Sequence, residues 1–182
     1  YNYWSLNSLN NFFNRLNAKI YRSEKINTHG GSIRIYVSKD KSKKVDKSVT
    51  KLIADENKFG IKKYETYKKF GEKVYKIREN ILKNFNELKK SHKKIIGYGA
   101  PAKATTALNF YGISDQIDFI VEDNSLKHNK FIPGVKIPIK SKKIVKNDNN
   151  TMVVLAWNFF KDIKKNNSNL SKNFINIKEL EN

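Results

Sequence analysis

The 182-residue sequence contains no cysteine, which excludes disulfides and thiolate metal sites. Its three histidines, His29, His92 and His128, are scattered, and none pairs with another at metal-ligand spacing. No metal site is expected. Long apolar runs are missing too: none approaches the roughly 20 residues of a membrane span, and no signal peptide opens the chain. A soluble cytoplasmic protein without membrane contact is the expectation. Arginine is scarce, with only Arg15, Arg22, Arg34 and Arg78 among 37 basic residues. The net charge of +20 attracts polyanions in general. Specific nucleic-acid recognition is not expected, because arginine usually reads phosphate and guanine, the lysines are spread along the chain, and no binding motif is present.

What is present is a hydrophobic fraction of 38%, enough for one core, in a clear order of elements. Ser5 is a candidate N-cap for a helix whose Leu6, Leu9, Phe12, Phe13 and Leu16 recur at helical spacing. Strands are expected at 19–26 and 32–37, joined through Gly30 and Gly31 as a hairpin. A lysine- and serine-rich connector and a short helix near 49–57 follow, then an amphipathic helix over 64–90. Its stripe of Tyr64, Tyr67, Phe70, Val74, Ile77, Ile81, Phe85 and Leu88 is expected to pack across the next domain. From residue 93 strands alternate with helices, which predicts a Rossmann-like parallel sheet with flanking helices. The strands fall near 94–98, 118–121, 136–139, 152–156 and 174–177, and the helices near 102–111 and 159–166. Asparagine-rich 147–150 and 166–173 read as surface loops. Three segments result: 1–39, a linker with helices over 40–92, and an α/β domain over 93–182.

Chemistry concentrates beyond the carboxyl ends of these strands, where open parallel sheets bind ligands. Gly97-Tyr98-Gly99-Ala100-Pro101-Ala102-Lys103 has the spacing G-x-G-x-x-A, with glycines for close backbone approach and Pro101 suited to the first helical position. Lys103 and the N–H groups of Gly99–Ala102 suit a diphosphate at a helix N-terminus. Asp123 could accept from ribose or sugar hydroxyls, or cap a turn with Asn124. Lys127 and the Pro133-Gly134 turn belong to the following loop. Trp157 could stack on a base or simply pack, and Asn158 could meet a hydroxyl or cap the next helix. His29 is a candidate base by its near-neutral pKa, but its glycine neighbours favour an ordinary hairpin turn.

These motifs resemble a known family. The Gly97–Lys103 turn, Val121-Glu122-Asp123-Asn124, Lys127, Pro133-Gly134, Ile137-Pro138-Ile139 and Leu155-Ala156-Trp157-Asn158 occur in the order seen in one domain. It is the C-terminal domain of the S-adenosylmethionine-dependent C-methyltransferases that act on nucleotide-linked keto-sugars. His29-Gly30-Gly31-Ser32-Ile33-Arg34 resembles a further signature of that family and adds His29 and Arg34 as possible substrate contacts. The resemblance implies that residues 1–39 are the C-terminal edge of a truncated class I methyltransferase domain, a remnant of its sheet.

It further implies that the family's cysteine-bound zinc module, its S-adenosylmethionine loop and its Tyr-His-Glu-His base motif all lie outside this chain. No catalytic residue is therefore assigned here, and the chain alone is expected to be inactive and without a cofactor. The complete enzyme would use S-adenosylmethionine, removing a proton next to a keto group so that the carbanion takes the methyl. The implied partners are a nucleotide-diphospho-sugar and, if the enzyme is split rather than cut, a methyltransferase half carried on another chain. Beside this stands an alternative drawn from the turn alone, a stand-alone nucleotide- or dinucleotide-binding module without catalysis.

Overall fold

The chain divides into two units, Tyr1–Gly71 with one apolar cluster among its described residues and Glu72–Asn182 with two. The computed structural model describes residues 3–91, 94–146 and 149–182, with His29 described by its backbone alone. Among the described residues no helix is long and apolar enough to cross a membrane.

In the first unit, Ser5 accepts from the Ser8 N–H and starts helix α1 (Leu6–Arg15), as its sequence position predicts. Strands β1 (Lys19–Ile26) and β2 (Ser32–Ser38) pair antiparallel, with an irregularity between Ile20 and Arg22. Gly30 and Gly31 take φ of 88° and 125° at the turn, a region open to glycine at no steric cost. Helix α2 (Lys47–Phe59) is capped by Asp46 and ended by left-handed Gly60. Leu6, Ile20, Val49 and Leu52 are buried together, with Ile33, Ile35 and Val37 against them. Residues 1–39 therefore share their core with α2. Glu56 of α2 reinforces this by accepting from the N–H groups of Leu6 (2.6 Å) and Asn7 (2.9 Å), two orphan donors at the start of α1.

The boundary between the units falls inside helix α3 (Tyr64–Ser91). Its stripe behaves as two halves. Ile81 and Phe85 are fully buried, with Ile77, Leu82 and Leu88 packed alongside, whereas Tyr64, Tyr67 and Phe70 are 76%, 58% and 66% exposed. The expected packing within the sheet unit is met by Ile77, Ile81, Phe85 and Leu88.

The second unit is a five-stranded parallel sheet in the order β5-β4-β3-β6-β7. Its elements are β3 (Lys94–Tyr98), α4 (Ala102–Tyr111), β4 (Phe119–Val121), β5 (Ile139–Lys140), β6 (Asn150–Val154), α5 (Phe160–Asn166) and β7 (Asn173–Asn176). Successive residues of β3 face opposite sides, as a strand requires. Ile95 joins Phe85, Leu108, Ile120 and Val153 on the face covered by α3 and α4. Ile96 and Tyr98 join Val121, Met152, Val154 and Phe174 on the other, against Phe160 and Ile163 of α5.

Strand bounds shift where polar groups intervene. Asn150, expected in a loop, begins β6 because its side-chain amide satisfies the Lys146 and Leu170 carbonyls (2.8 and 3.2 Å). Asn167 and Ser171, also expected on the surface, are 5% and 3% exposed. Their side chains close the loop by donating to the carbonyls of Ile163 and Asn150, respectively. β5 is shorter than expected because Ile137 and Pro138 fold back onto Ile132 and Phe131.

Phe85 is the largest fully buried side chain of the sheet domain. Phe85→Ala is expected to cost about 3–5 kcal/mol through lost burial and the cavity left behind. Urea unfolding followed by circular dichroism measures it, and a loss under 1 kcal/mol would place α3 outside this core.

Candidate functional site

Starting from β3, the chain adds β4 and β5 on one side, then crosses to add β6 and β7 on the other. Strand order therefore reverses between β3 and β6, and the crevice beyond their carboxyl ends is the favoured ligand position of such a sheet. The turn 99–103 follows β3 there, and 155–158 follows β6. Glu122-Asp123-Asn124 flank the turn from the end of β4.

The two glycines of the turn motif have different jobs. Gly97 lies within β3, where a Cβ would stand 2.7 Å from Ile120 Cγ1 and 3.1 Å from Leu155 Cδ1. It is glycine so that the neighbouring strands' side chains can close over it. Gly99 makes the turn, at φ 88°, and its N–H donates to the Val121 carbonyl (2.8 Å). Pro101 takes the N-cap position rather than the first helical one, in extended conformation (ψ 159°). Ala104 donates to its carbonyl at 2.9 Å.

Glu122 occupies the turn. Its carboxylate accepts from the Ala100 N–H (2.8 Å) and the Asn124 N–H (3.1 Å) and lies 3.4 Å from the Lys127 ammonium. Lys127 also donates to the Ala100 carbonyl (2.9 Å), and the His128 ring meets the Glu122 carbonyl at 2.7 Å. Burial works to raise the Glu122 pKa, but the two backbone donors and Lys127 outweigh it and hold the carboxyl below its ordinary 4.5. With the Gly99 and Ala100 donors engaged internally, the turn's open backbone donors are Ala102 and Lys103, which as first residues of α4 have no i−4 carbonyl.

Asp123 turns the other way. It accepts from the buried Tyr98 hydroxyl (2.8 Å) and pairs with Lys142 (2.8 Å), whose ammonium also reaches Asn167 (3.2 Å). Lys142 chiefly depresses the Asp123 pKa, with Tyr98 contributing, while burial and Asp123 push the Tyr98 phenol up. Capping falls to Asn124, which accepts from the Leu126 N–H at 3.0 Å.

Across the crevice, Trp157 packs partly against the core while a cation covers its ring: Lys103 Nζ lies 3.9 Å from the ring centroid. Lys178, after β7, lies 5.5 Å from the same centroid. Burial, then the Lys178 charge, pull the Lys103 pKa below its ordinary value. Asn158 is exposed in the 3-10 turn Trp157–Phe159 and caps nothing, since α5 starts at Phe160 with Phe159 at the N-cap.

Tertiary structure thus gathers Gly99, Ala100, Pro101, Lys103, Trp157 and Asn158 at the crevice, with Lys127 and Asn124 behind Glu122. It does not bring Pro133 and Gly134 there. The Pro133 carbonyl accepts from Asn109 of α4 (3.0 Å), six residues or about 9 Å along the helix from Lys103. Gly134 (φ 85°) leaves room for that same side chain. Arg34 belongs to the first unit, exposed on β2 and 3.6 Å from Glu24. His29 contributes backbone to the 3-10 turn Thr28–Gly30, and its side chain lies outside the described residues. Sequence reasoning missed Lys178 and Lys142 as members of these clusters. No local signal marks either among so many lysines.

Residues 27–176 match the family described as the C-methyltransferase C-terminal domain. The chain is also 28% identical over 176 residues to the C-methyltransferase NovU of Streptomyces niveus, covering 95% of this chain and 42% of that protein. It therefore spans less than half the length of the curated relative that it matches.

Since Glu122 binds backbone donors as an anion, its contribution to stability has a defined sign with pH. A depressed folded-state pKa gives stability that is present above 4.5 and lost as pH falls through the folded value. Wild type should exceed Glu122→Gln by about 1–3 kcal/mol at pH 7. Urea midpoints between pH 7 and pH 3 should show this gap closing in acid; a gap that widened would contradict the assignment.

Proposed function

This chain belongs to the C-methyltransferase C-terminal domain family, and from that premise we propose that it holds a nucleotide-linked keto-sugar for methylation at a sugar carbon. The observation that carries the reading is the partly desolvated Lys103 ammonium, stacked on Trp157 at the reversal of strand order. A cation at a helix N-terminus opposes the helix dipole. An anion between them removes that conflict, and the diphosphate of a nucleotide-sugar supplies one.

In this reading the open N–H groups of Ala102 and Lys103 and the Lys103 ammonium bind phosphate oxygens. The exposed Asn158 amide meets a hydroxyl or base edge. Binding energy gained on the nucleotide fixes the sugar's reacting carbon, so groups remote from the chemistry contribute to its rate. S-adenosylmethionine would supply the methyl group in the complete enzyme. Its sulfonium does not fit this crevice, where two ammonium groups already face one ring. We assign its binding, and the proton abstraction that precedes methyl transfer, to parts of the enzyme beyond these residues, on this chain or a partner. These 182 residues alone are then inactive.

The alternative, a dinucleotide-binding module, asks more of the turn. A pyrophosphate cradled as in dinucleotide sites would need the Ala100 N–H, where Glu122 already sits, and a ribose would need the Asp123 carboxylate that Tyr98 and Lys142 hold.

Lys103→Ala should weaken binding of a nucleoside-diphospho-sugar by about 1.5–3 kcal/mol, the range of a charge-assisted hydrogen bond. NAD should bind far more weakly than the sugar nucleotide to the unaltered chain. Titration calorimetry at low and moderate salt reads both. Lys172, exposed just before β7 at the opposite end of the sheet, is the charge-matched control. Equal losses for Lys172→Ala and Lys103→Ala would mean that bulk charge holds the ligand.

A further inference from the structure

Lys178 lies two residues past the family match, in the C-terminal 3-10 turn Ile177–Glu181. That turn is firmly built. Asn176 and Glu179 form a capping box, Ile177 and Leu180 are buried, and the Asn80 and Asn84 amides of α3 donate to the carbonyls of Glu181 and Leu180 (3.0 and 2.9 Å). Lys178 is therefore held at the crevice by the fold. Its ammonium shares the Trp157 ring with Lys103, and the two cations repel across it.

Like charges gathered at a partly desolvated ring cost free energy unless something negative accompanies them. Part of that compensation is built into the fold. Both Glu181 carboxylate oxygens accept from Lys178 (2.8 and 2.9 Å), and the hydroxyl of buried Tyr111 anchors the same carboxylate at 2.9 Å. Lys103 has no such carboxylate among the described residues. On the β4 side of the turn Glu122 already holds the Ala100 N–H, whereas Lys103 stands with Trp157 and Lys178 on the β6 and β7 side.

We propose that Lys178 is a second phosphate-binding cation at this crevice, restrained by Glu181, and that Lys103 and Lys178 together take the two phosphates of a nucleoside diphosphate over Trp157. The assignment rests on the nucleotide-sugar reading above. Glu181 acts as a resident counter-ion: it orients Lys178 and lowers its pull on an incoming anion. Removing the lysine and removing its restraint then have opposite effects, which a purely structural ion pair would not produce.

Trp4→Phe, a change at a half-exposed residue of the first unit, leaves Trp157 as the sole indole reporter. In that background, uridine diphosphate and inorganic pyrophosphate are titrated by tryptophan fluorescence, with circular dichroism checking each variant's fold. Lys178→Gln should weaken uridine diphosphate binding about fivefold, and Lys178→Arg should restore it, as expected for a part-exposed charge contact. Glu181→Gln, which keeps an acceptor for Tyr111, should tighten binding about threefold by the same reasoning. Weakening by Lys103→Gln with no effect of Lys178→Gln overturns this proposal and leaves the nucleotide-sugar reading standing. No effect of either variant overturns both. Weaker binding in Glu181→Gln overturns the counter-ion role, and equal weakening by Lys172→Gln reduces the site to bulk charge and overturns the proposal.

Discussion

The Glu122 carboxylate bonded to the Ala100 N–H is the contact on which the site's geometry depends. A carboxylate with 14% of its side chain exposed is costly to bury unless its lone pairs are met, and here two backbone donors and the Lys127 ammonium meet them. By doing so it ties the end of β4 to the turn after β3 and fixes where α4 begins. It also occupies one flank of that turn. What remains accessible is the flank toward β6, where Lys103, Trp157 and Lys178 stand. One internal anion thus decides which flank of the turn stays open.

Most of the +20 net charge does little to define a site. Lysines such as Lys68, Lys69, Lys164 and Lys172 are exposed, and their field is screened within about 10 Å at ordinary salt. Lys103 differs because its ammonium lies on an indole face next to a second cation and at the start of a helix. The indole face favours that ammonium, while the neighbouring cation and the helix dipole oppose it. Abundance of lysine sets the general field; placement sets this one ammonium apart.

In the first unit the organising contact is again a glutamate reaching across the chain. Glu56 satisfies the start of α1 from α2, forty-nine and fifty positions away, and so binds α1, the hairpin and α2 into one small core. Without α2, the hairpin would be a two-stranded sheet with one helix, and such a sheet is marginal alone.

Local signals were legible in the sequence. Ser5 at the start of α1 and the paired glycines of the hairpin act through neighbours a few residues away, so composition and spacing suffice to read them. The ordered motifs around the turn were legible for the same reason, and they sufficed to point to the family. Tertiary structure alone decided that Gly97 serves strand packing, that Glu122 fills the turn, that Asp123 is held by Tyr98 and Lys142, and that Pro133-Gly134 sits against Asn109. It alone brought Lys178 to Trp157. These outcomes depend on strand order and on which side chains meet across 19 to 75 residues of chain. A hydrogen bond or a like-charge pair at such separation leaves no periodicity, because its energy comes from a proximity that only the folded sheet creates.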